Sequence, residues 1–162
     1  LYAGVMIDDA GVPKVLEFNC RFGDPETQPM MVRLKSDLLD LVLHAVNGTL
    51  DQVEAEWDRR AALGVVLAAP GYPEAPRKGD AIDGLGRVTS DAHPACKVFH
   101  AGTAMDDGNV VVNGGRVLCV TALGDSIRQA QRSAYAAIAE IRFPGMQYRT
   151  DIGHRALGAR KG

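Results

Sequence analysis

The sequence has no apolar run approaching the ~20 residues that a membrane-spanning helix needs, so it is not expected to cross a bilayer. It has no excess of one charge either. Its 18 Lys and Arg stand against 20 Asp and Glu, a formal net charge of −2, and that balance disfavours a dedicated nucleic-acid binder. Cysteine is scarce: Cys20, Cys96 and Cys119 are odd in number and widely spaced. With no CxxC pair and no Cys/His cluster, neither a disulfide framework nor a zinc site is suggested, and reduced, mostly buried thiols in a cytoplasmic protein are expected. No basic segment followed by an apolar stretch opens the chain, so no signal peptide is expected. The P-loop pattern GxxxxGK[ST], a GxGxxG following a strand, and GxSxG are all missing. So are internal repeats and low-complexity tracts.

What remains is an ordinary globular composition. Apolar residues make up 46% of 162 and charged residues 23%, which excludes general disorder. A chain of this length can bury roughly 70% of its unfolded surface and needs no covalent staple. The chain opens at Leu1 rather than Met, and LYAGVMID already reads as the interior of something larger. A fragment is therefore expected, with a length that understates the functional unit.

The pattern along the chain predicts mixed α and β structure with hairpins rather than regular βαβ alternation, hence an α+β fold. Leu1–Ile7 reads as a buried strand and Lys14–Cys20 as its hairpin partner across Asp9-Ala10-Gly11. Asp24-Pro25-Glu26 reads as a helix start, with Asp24 able to cap, Pro25 suited to the first helical position and Glu26 suited to the positive end of the dipole. A second helix is predicted from about Asp37 to Val46, ended by Asn47-Gly48. Asp51–Arg60 is polar, a short surface helix or loop. Ala61–Ala69 is a continuous apolar run, a strand buried on both faces. Pro73–Pro94 reads as a long surface excursion with at most short strands near Ile82 and Val88. Strands at Lys97–Ala101, Val110–Val112 and Arg116–Leu123 then alternate with turns at Asp107-Gly108 and Asn113-Gly114-Gly115. A final helix opens at Asp125-Ser126, with Ser126 and Gln129 as a capping box. Its apolar face is Ile127, Ala130, Ala134, Ile138 and Ile141. The tail from Met146 carries Arg149, Arg155, Arg160 and Lys161 and reads as a solvated or docking segment.

The chemistry concentrates in Glu17-Phe-Asn-Cys-Arg-Phe-Gly-Asp-Pro-Glu26. Strand alternation puts Glu17, Asn19 and Arg21 on one face, spaced about 7 Å apart, and Leu16, Phe18 and Cys20 on the other, core-facing side. Glu17 and Asn19 offer hard oxygen ligands for Mg²⁺, which takes one or two protein oxygens and leaves the rest to water and phosphates. Arg21 offers a planar fork for a phosphoryl or acyl-phosphate oxygen. On spacing alone the same face can equally be a solvated strand surface with a salt bridge. Asp24 and Glu26 can contact an amine substrate or merely cap a helix.

The run EFN (Glu17–Asn19) followed by RFGDPETQP (Arg21–Pro29) resembles the signature of the phosphoribosylamine–glycine ligase family of ATP-grasp enzymes. LYAGVMID, RLKSDLLDL, GVVLAAPGYP, VFHAGT, NGGRVLCVTALG and YRTDIGHRAL are similar to that family in the same order, so the resemblance spans essentially the whole chain. Pro70 before Gly71 stands where family members often have a second Gly. The resemblance implies that residues 1–60 end an ATP-grasp core and that 61–162 form a small, β-rich carboxy-terminal domain with helices. It further implies ATP-dependent ligation of glycine to 5-phosphoribosylamine in purine biosynthesis, with Mg²⁺ or Mn²⁺. By matching position, Glu17 and Asn19 resemble the metal ligands and Arg21 the group stabilising the acyl phosphate. Asp24, Glu26, Tyr72 and Arg116 are candidates for substrate contact, Arg116 for a 5-phosphate. The partners implied are small molecules and the amino-terminal lobes of the same protein, with no nucleic acid and no membrane. Those lobes carry the adenine pocket, so this piece is expected to fold yet not catalyse alone. Because the chain stops shortly after Asp151-Ile152-Gly153, a monofunctional parent is expected. A different ATP-grasp carboxylate–amine ligase, or a non-enzymatic scaffold keeping the fold, are the alternatives.

Overall fold

A computed structural model of the chain describes residues 2–88 and 92–158. Its centre is a three-stranded antiparallel sheet made of β3 (Ala61–Ala68), β4 (Cys96–His100) and β7 (Arg116–Gly124), in the order β3-β7-β4. The long apolar run of β7 takes the middle place, where both edges are paired and Val117 to Ala122 are all buried. Leu63, Val65 and Leu67 of β3 lie opposite Ala122, Val120 and Leu118. These residues face helix α4 (Ile127–Ile138), whose Ala130, Ala134, Ala137 and Ile138 are buried with them in one core. Ser126 caps α4 by accepting from the Gln129 N–H, while the Gln129 side chain reaches back to the Asp125 N–H.

The opposite face of the sheet is covered more thinly by helix α1 (Thr27–Arg33). Gly64 is the seat: a Cβ there would lie 3.1 Å from the Pro29 ring and 3.2 Å from Cys119 Sγ. Cys119 and Thr121 of β7 share this face, both buried, with 3.6 Å between Sγ and Oγ1. Helix α2 (Leu38–Val46) follows, capped by Asp37 Oδ1 accepting from the Leu39 N–H at 2.7 Å. A single 3₁₀ turn covers Leu50–Gln52.

A second hairpin joins β5 (Thr103–Asp106) to β6 (Asn109–Val112) through Asp107 and Gly108, both at positive φ as a primed turn requires. The strand β5 was not foreseen, because its flanks read as loop. Within the span 73–94, the described residues 73–88 are less of an excursion than expected. Gly79–Ile82 hydrogen-bond along β6, Asp83 pairs with Arg142, and helix α3 (Leu85–Val88) drives Val88 into the core beside Ile82. Bridges at Ala81 and Asp83, on either side of Ile82, and the buried side chains of Ile82 and Val88 hold this segment.

The amino-terminal hairpin departs most from expectation. Strands β1 (Tyr2–Ile7) and β2 (Pro13–Asn19) pair antiparallel with a register shift at Gly4/Val5, as a separate two-stranded sheet. Of the expected buried strand, only Gly4 is buried among the described residues, and Leu1 lies outside them. Leu16, Phe18 and Cys20 do not face a core: Leu16 is 65% and Phe18 64% exposed, and Cys20 is exposed too. The physical reason is that a lone ribbon has two open faces, and no described element covers either.

Candidate functional site

Strand alternation does bring Glu17 and Asn19 to one side. The Asn19 amide donates to Glu17 Oε1 at 3.3 Å, so a carboxylate and an amide stand side by side at the end of β2. A half-turn of that amide exchanges its nitrogen for its oxygen and sets two hard oxygens together. Arg21 lies beyond the strand, in a bend, and is not the third member of a straight row. Its guanidinium is held against the chain by an Nη1–H donated to the Phe22 carbonyl. Among the described residues, no group of three or more His, Cys, Asp and Glu side chains gathers. The donor set on hand is therefore one carboxylate and one amide, which suits a magnesium-type ion completed by water and phosphate oxygens.

The segment Gly23–Glu26 is a turn, not a helix start. Helix α1 begins at Thr27 and takes no side-chain cap, and the Asp24–Pro25 peptide is cis. Neither side chain caps the helix as expected: Glu26 holds the N-cap position in helical conformation without a side-chain bond to the helix, and Asp24 lies two residues before it. Thr27 closes it, donating both its N–H and its Oγ1 hydroxyl to the Gly23 carbonyl. Asp24 is instead shared. Its Oδ1 accepts from Gln28, its carbonyl accepts from Arg116 Nη1 at 3.0 Å, and its Oδ2 lies 3.3 Å from Arg116 Nη2. Arg116 opens β7, so this contact joins the turn to the carboxy-terminal sheet. Glu26 folds back over Gly23, where any Cβ would strike its carboxylate.

Two cavities flank this turn. One of about 690 Å³ is lined by Tyr2, Arg21, Phe22, Gly23 and Glu26. The other, about 490 Å³, lies on the far side of the turn and is walled by Pro25, Tyr72, Arg116, Gln147, Tyr148 and Arg149. Tyr72 is placed by Gly115, whose missing side chain leaves room for the ring: a Cβ there would lie 2.3 Å from it. Glu17, Arg21, Asp24 and Glu26 are thus gathered on one stretch of chain, while Tyr72 and Arg116 come to the turn from the sheet.

Gln147, Tyr148 and Arg149 are not among the site candidates read from the sequence, where Arg149 belongs to a tail expected to be solvated or docking. Residues 146–153 are docked. Gln147 exchanges both backbone hydrogen bonds with Ala68, extending β3, and the Tyr135 hydroxyl donates to the Arg149 carbonyl at 2.7 Å while accepting from the Ile152 N–H. The Arg149 guanidinium grips Asp151 with two bonds of 2.8 and 2.7 Å, which hold that carboxyl below its ordinary range. The clue available was the aromatic–Arg–x–Asp spacing of Tyr148–Asp151. Short helix α5 (His154–Gly158) follows, and Arg160 and Lys161 lie outside the described residues. His44 and His100 have local partners: His44 meets Thr49 Oγ1 and His100 meets Thr103 Oγ1. No helix among the described residues is long and apolar enough to cross a membrane.

Residues 62–155 match the family model described as phosphoribosylglycinamide synthetase, C domain, and residues 1–27 match phosphoribosylglycinamide synthetase, ATP-grasp (A) domain. Among curated proteins, the phosphoribosylamine–glycine ligase of Ralstonia nicotianae is 57% identical over 157 residues, and that of Xylella fastidiosa 61% identical over 159 residues. Each alignment takes in 97% of this chain but only 36% and 35%, respectively, of the relative. The crystal structure of phosphoribosylamine–glycine ligase from Thermotoga maritima superposes with a TM-score of 0.71 at 37% identity, over 93% of this chain and 36% of that one. The chain spans about 36% of the length of the curated relatives it matches.

Proposed function

The chain belongs to the phosphoribosylglycinamide synthetase family, and from that premise we propose that it forms the later part of an ATP-dependent carbon–nitrogen ligase acting in purine biosynthesis. In this reading residues 1–60 complete an ATP-grasp core and residues 61–162 form the carboxy-terminal domain. Family membership brings ATP use with it. The ligase reaction transfers the ATP γ-phosphoryl group to a glycine carboxylate oxygen, releasing ADP. The amine of 5-phosphoribosylamine then attacks the acyl carbon, an amide forms, the C–O bond to phosphate breaks, and the amine gives up a proton.

The observation that carries this reading is the pairing of Glu17 with Asn19 at a strand end, with Arg21 facing a cavity two residues further on. Glu17 and Asn19 would hold Mg²⁺ or Mn²⁺, which when bound neutralises phosphate charge. Arg21 supplies a fixed cation where charge develops on the acyl-phosphate oxygens, and a fixed cation acts most strongly there. Phosphoryl transfer asks little covalent chemistry of the protein, so positioning and charge are the main contributions. Glu26 borders the same cavity as Arg21 and suits contact with an amine, the Asp24 carboxylate is taken up by Gln28 and Arg116, and Tyr72 walls the second cavity. The setting proposed is the cytoplasm, with the remaining lobes of the same protein as the partner that supplies the adenine pocket.

The test is a ligase assay with glycine, 5-phosphoribosylamine and MgATP. The full-length protein is expected to turn over and this chain alone is not; full activity from the chain alone refutes the shared-site reading. In the full-length protein, Glu17→Ala, Asn19→Ala and Arg21→Ala are each expected to lower kcat by about 10²–10³-fold, the scale of removing one preorganised charge-stabilising group. Unchanged rates in folded variants remove the assignment.

A further inference from the structure

Arg116 reaches back 92 residues to the turn at Asp24, where one guanidinium meets two acceptors of the same residue. The Nη1 bond falls on the Asp24 carbonyl, so it fixes the plane of the peptide leading into Pro25, and the Nη2 contact fixes the side chain. A planar fork can make both contacts at once, whereas a lysine ammonium is a point charge. The turn's other side-chain hydrogen bonds, Thr27 on Gly23 and Gln28 on Asp24, are local, and beyond them its tie to the sheet is the packing of α1 through Pro29 at Gly64. Arg116 itself is the first residue of the central strand, next to the Gly115 that seats Tyr72. Pro25 and Arg116 both line the 490 Å³ cavity, so the contact joins two parts of its wall.

We propose that Arg116 is a positioning residue: it holds the Gly23–Pro25 turn, and with it Arg21 and Glu26, against the carboxy-terminal sheet, and it does not bind the substrate phosphate. Two of the five guanidinium N–H donors are taken up by that carbonyl and carboxylate, and the Asp24 carboxylate beside it offsets the positive charge that an incoming phosphate would meet. In catalytic terms the inference rests on the ligase reading; in structural terms it stands without it.

The first arm of the test needs no catalysis. Amide hydrogen exchange is followed across residues 21–28 of the full-length protein without substrate, the Thr27 amide being the direct reporter. Arg116→Ala is expected to speed exchange there about 5–10-fold, with Arg116→Lys in between, since the contact is half-exposed and of moderate strength. Unchanged exchange overturns the proposal. If Arg116→Ala does not fold, Asp24→Asn probes the same contact from the other side. It keeps the carbonyl acceptor and loses the ion pair, so a smaller rise is expected and no rise is the refuting result.

The second arm is kinetic. Arg116→Ala is expected to lower kcat about 10-fold and to leave KM for the phosphorylated amine within about twofold, the pattern of lost positioning rather than lost binding. Combined with Asp24→Asn, the loss is expected to be less than the product of the two single losses. A KM raised about 10-fold or more at unchanged kcat makes Arg116 a phosphate ligand and overturns the proposal. If the wild-type protein has no ligase activity, the ligase reading falls and the exchange experiment alone decides the role of Arg116.

Discussion

Asp151 titrates as part of the clasp that holds the carboxy-terminal segment. The two hydrogen bonds from Arg149 lower its carboxyl below the ordinary carboxylate range. A carboxyl lowered in the folded state contributes stability above its unfolded value, and that contribution is lost as pH falls through the folded value. The Ile152 amide, which donates to the Tyr135 hydroxyl, reports on this clasp. Its exchange protection is expected to hold at neutral pH and to decline only below about pH 4, and a flat profile to lower pH refutes the linkage. The thiols separate in the same way: burial pushes Cys119 up, whereas Cys20 is exposed. With a thiol reagent under native conditions, Cys20 is expected to react promptly and Cys119 only on unfolding. At this scale the sequence was most legible where partners are close in the chain. The Asp37 cap and the Ser126–Gln129 box each involve residues two or three apart. Asp24 looked like the same kind of cap, and its actual partner, Arg116, could not be read from local spacing.

Elements that bury one face of a regular repeat were also legible. The 3.6-residue spacing of Ala130, Ala134 and Ile138 marks the face of α4 that meets the sheet, and all three are buried. Ile138→Ala is expected to cost about 2–5 kcal/mol because the site is closed on all sides, and Ser126→Ala about 1 kcal/mol through loss of the cap. Both are measured by denaturant unfolding, and equal costs would contradict the packing described. The hairpin β1–β2 shows what periodicity leaves out. Alternation correctly puts Glu17 and Asn19 together, yet it cannot say whether Leu16 and Phe18 are covered, since that depends on an element elsewhere. The span 73–94 failed in the opposite direction. Its Gly, Pro and charged residues look solvated, but Ile82 and Val88 are drawn into the core by β6 and the end of α4.

Across the whole molecule, apolar exposure is uneven. The sheet and α4 enclose a continuous core, while Tyr2, Val5, Met6, Ile7, Leu16 and Phe18 of the ribbon, and Leu39, Leu43 and Val46 of α2, stand open. Local stability should follow burial. Limited proteolysis of this chain is expected to cut within residues 2–22 well before residues 61–88 and 92–143, and simultaneous loss of both regions would refute it.

The ribbon β1–β2 has a further consequence. Two strands form a sheet in which each outer edge keeps a row of unpaired backbone donors and acceptors, and such edges recruit strands from other molecules. Natural edges are blunted by charge, proline or a bulge. Here Pro13 and Lys14 guard one end of β2 and the irregularity at Gly4/Val5 interrupts β1, while Val15-Leu16 and Phe18 carry no such protection. For the isolated chain, intermolecular strand addition at this ribbon is therefore expected to set the practical ceiling on concentration while the carboxy-terminal core stays folded.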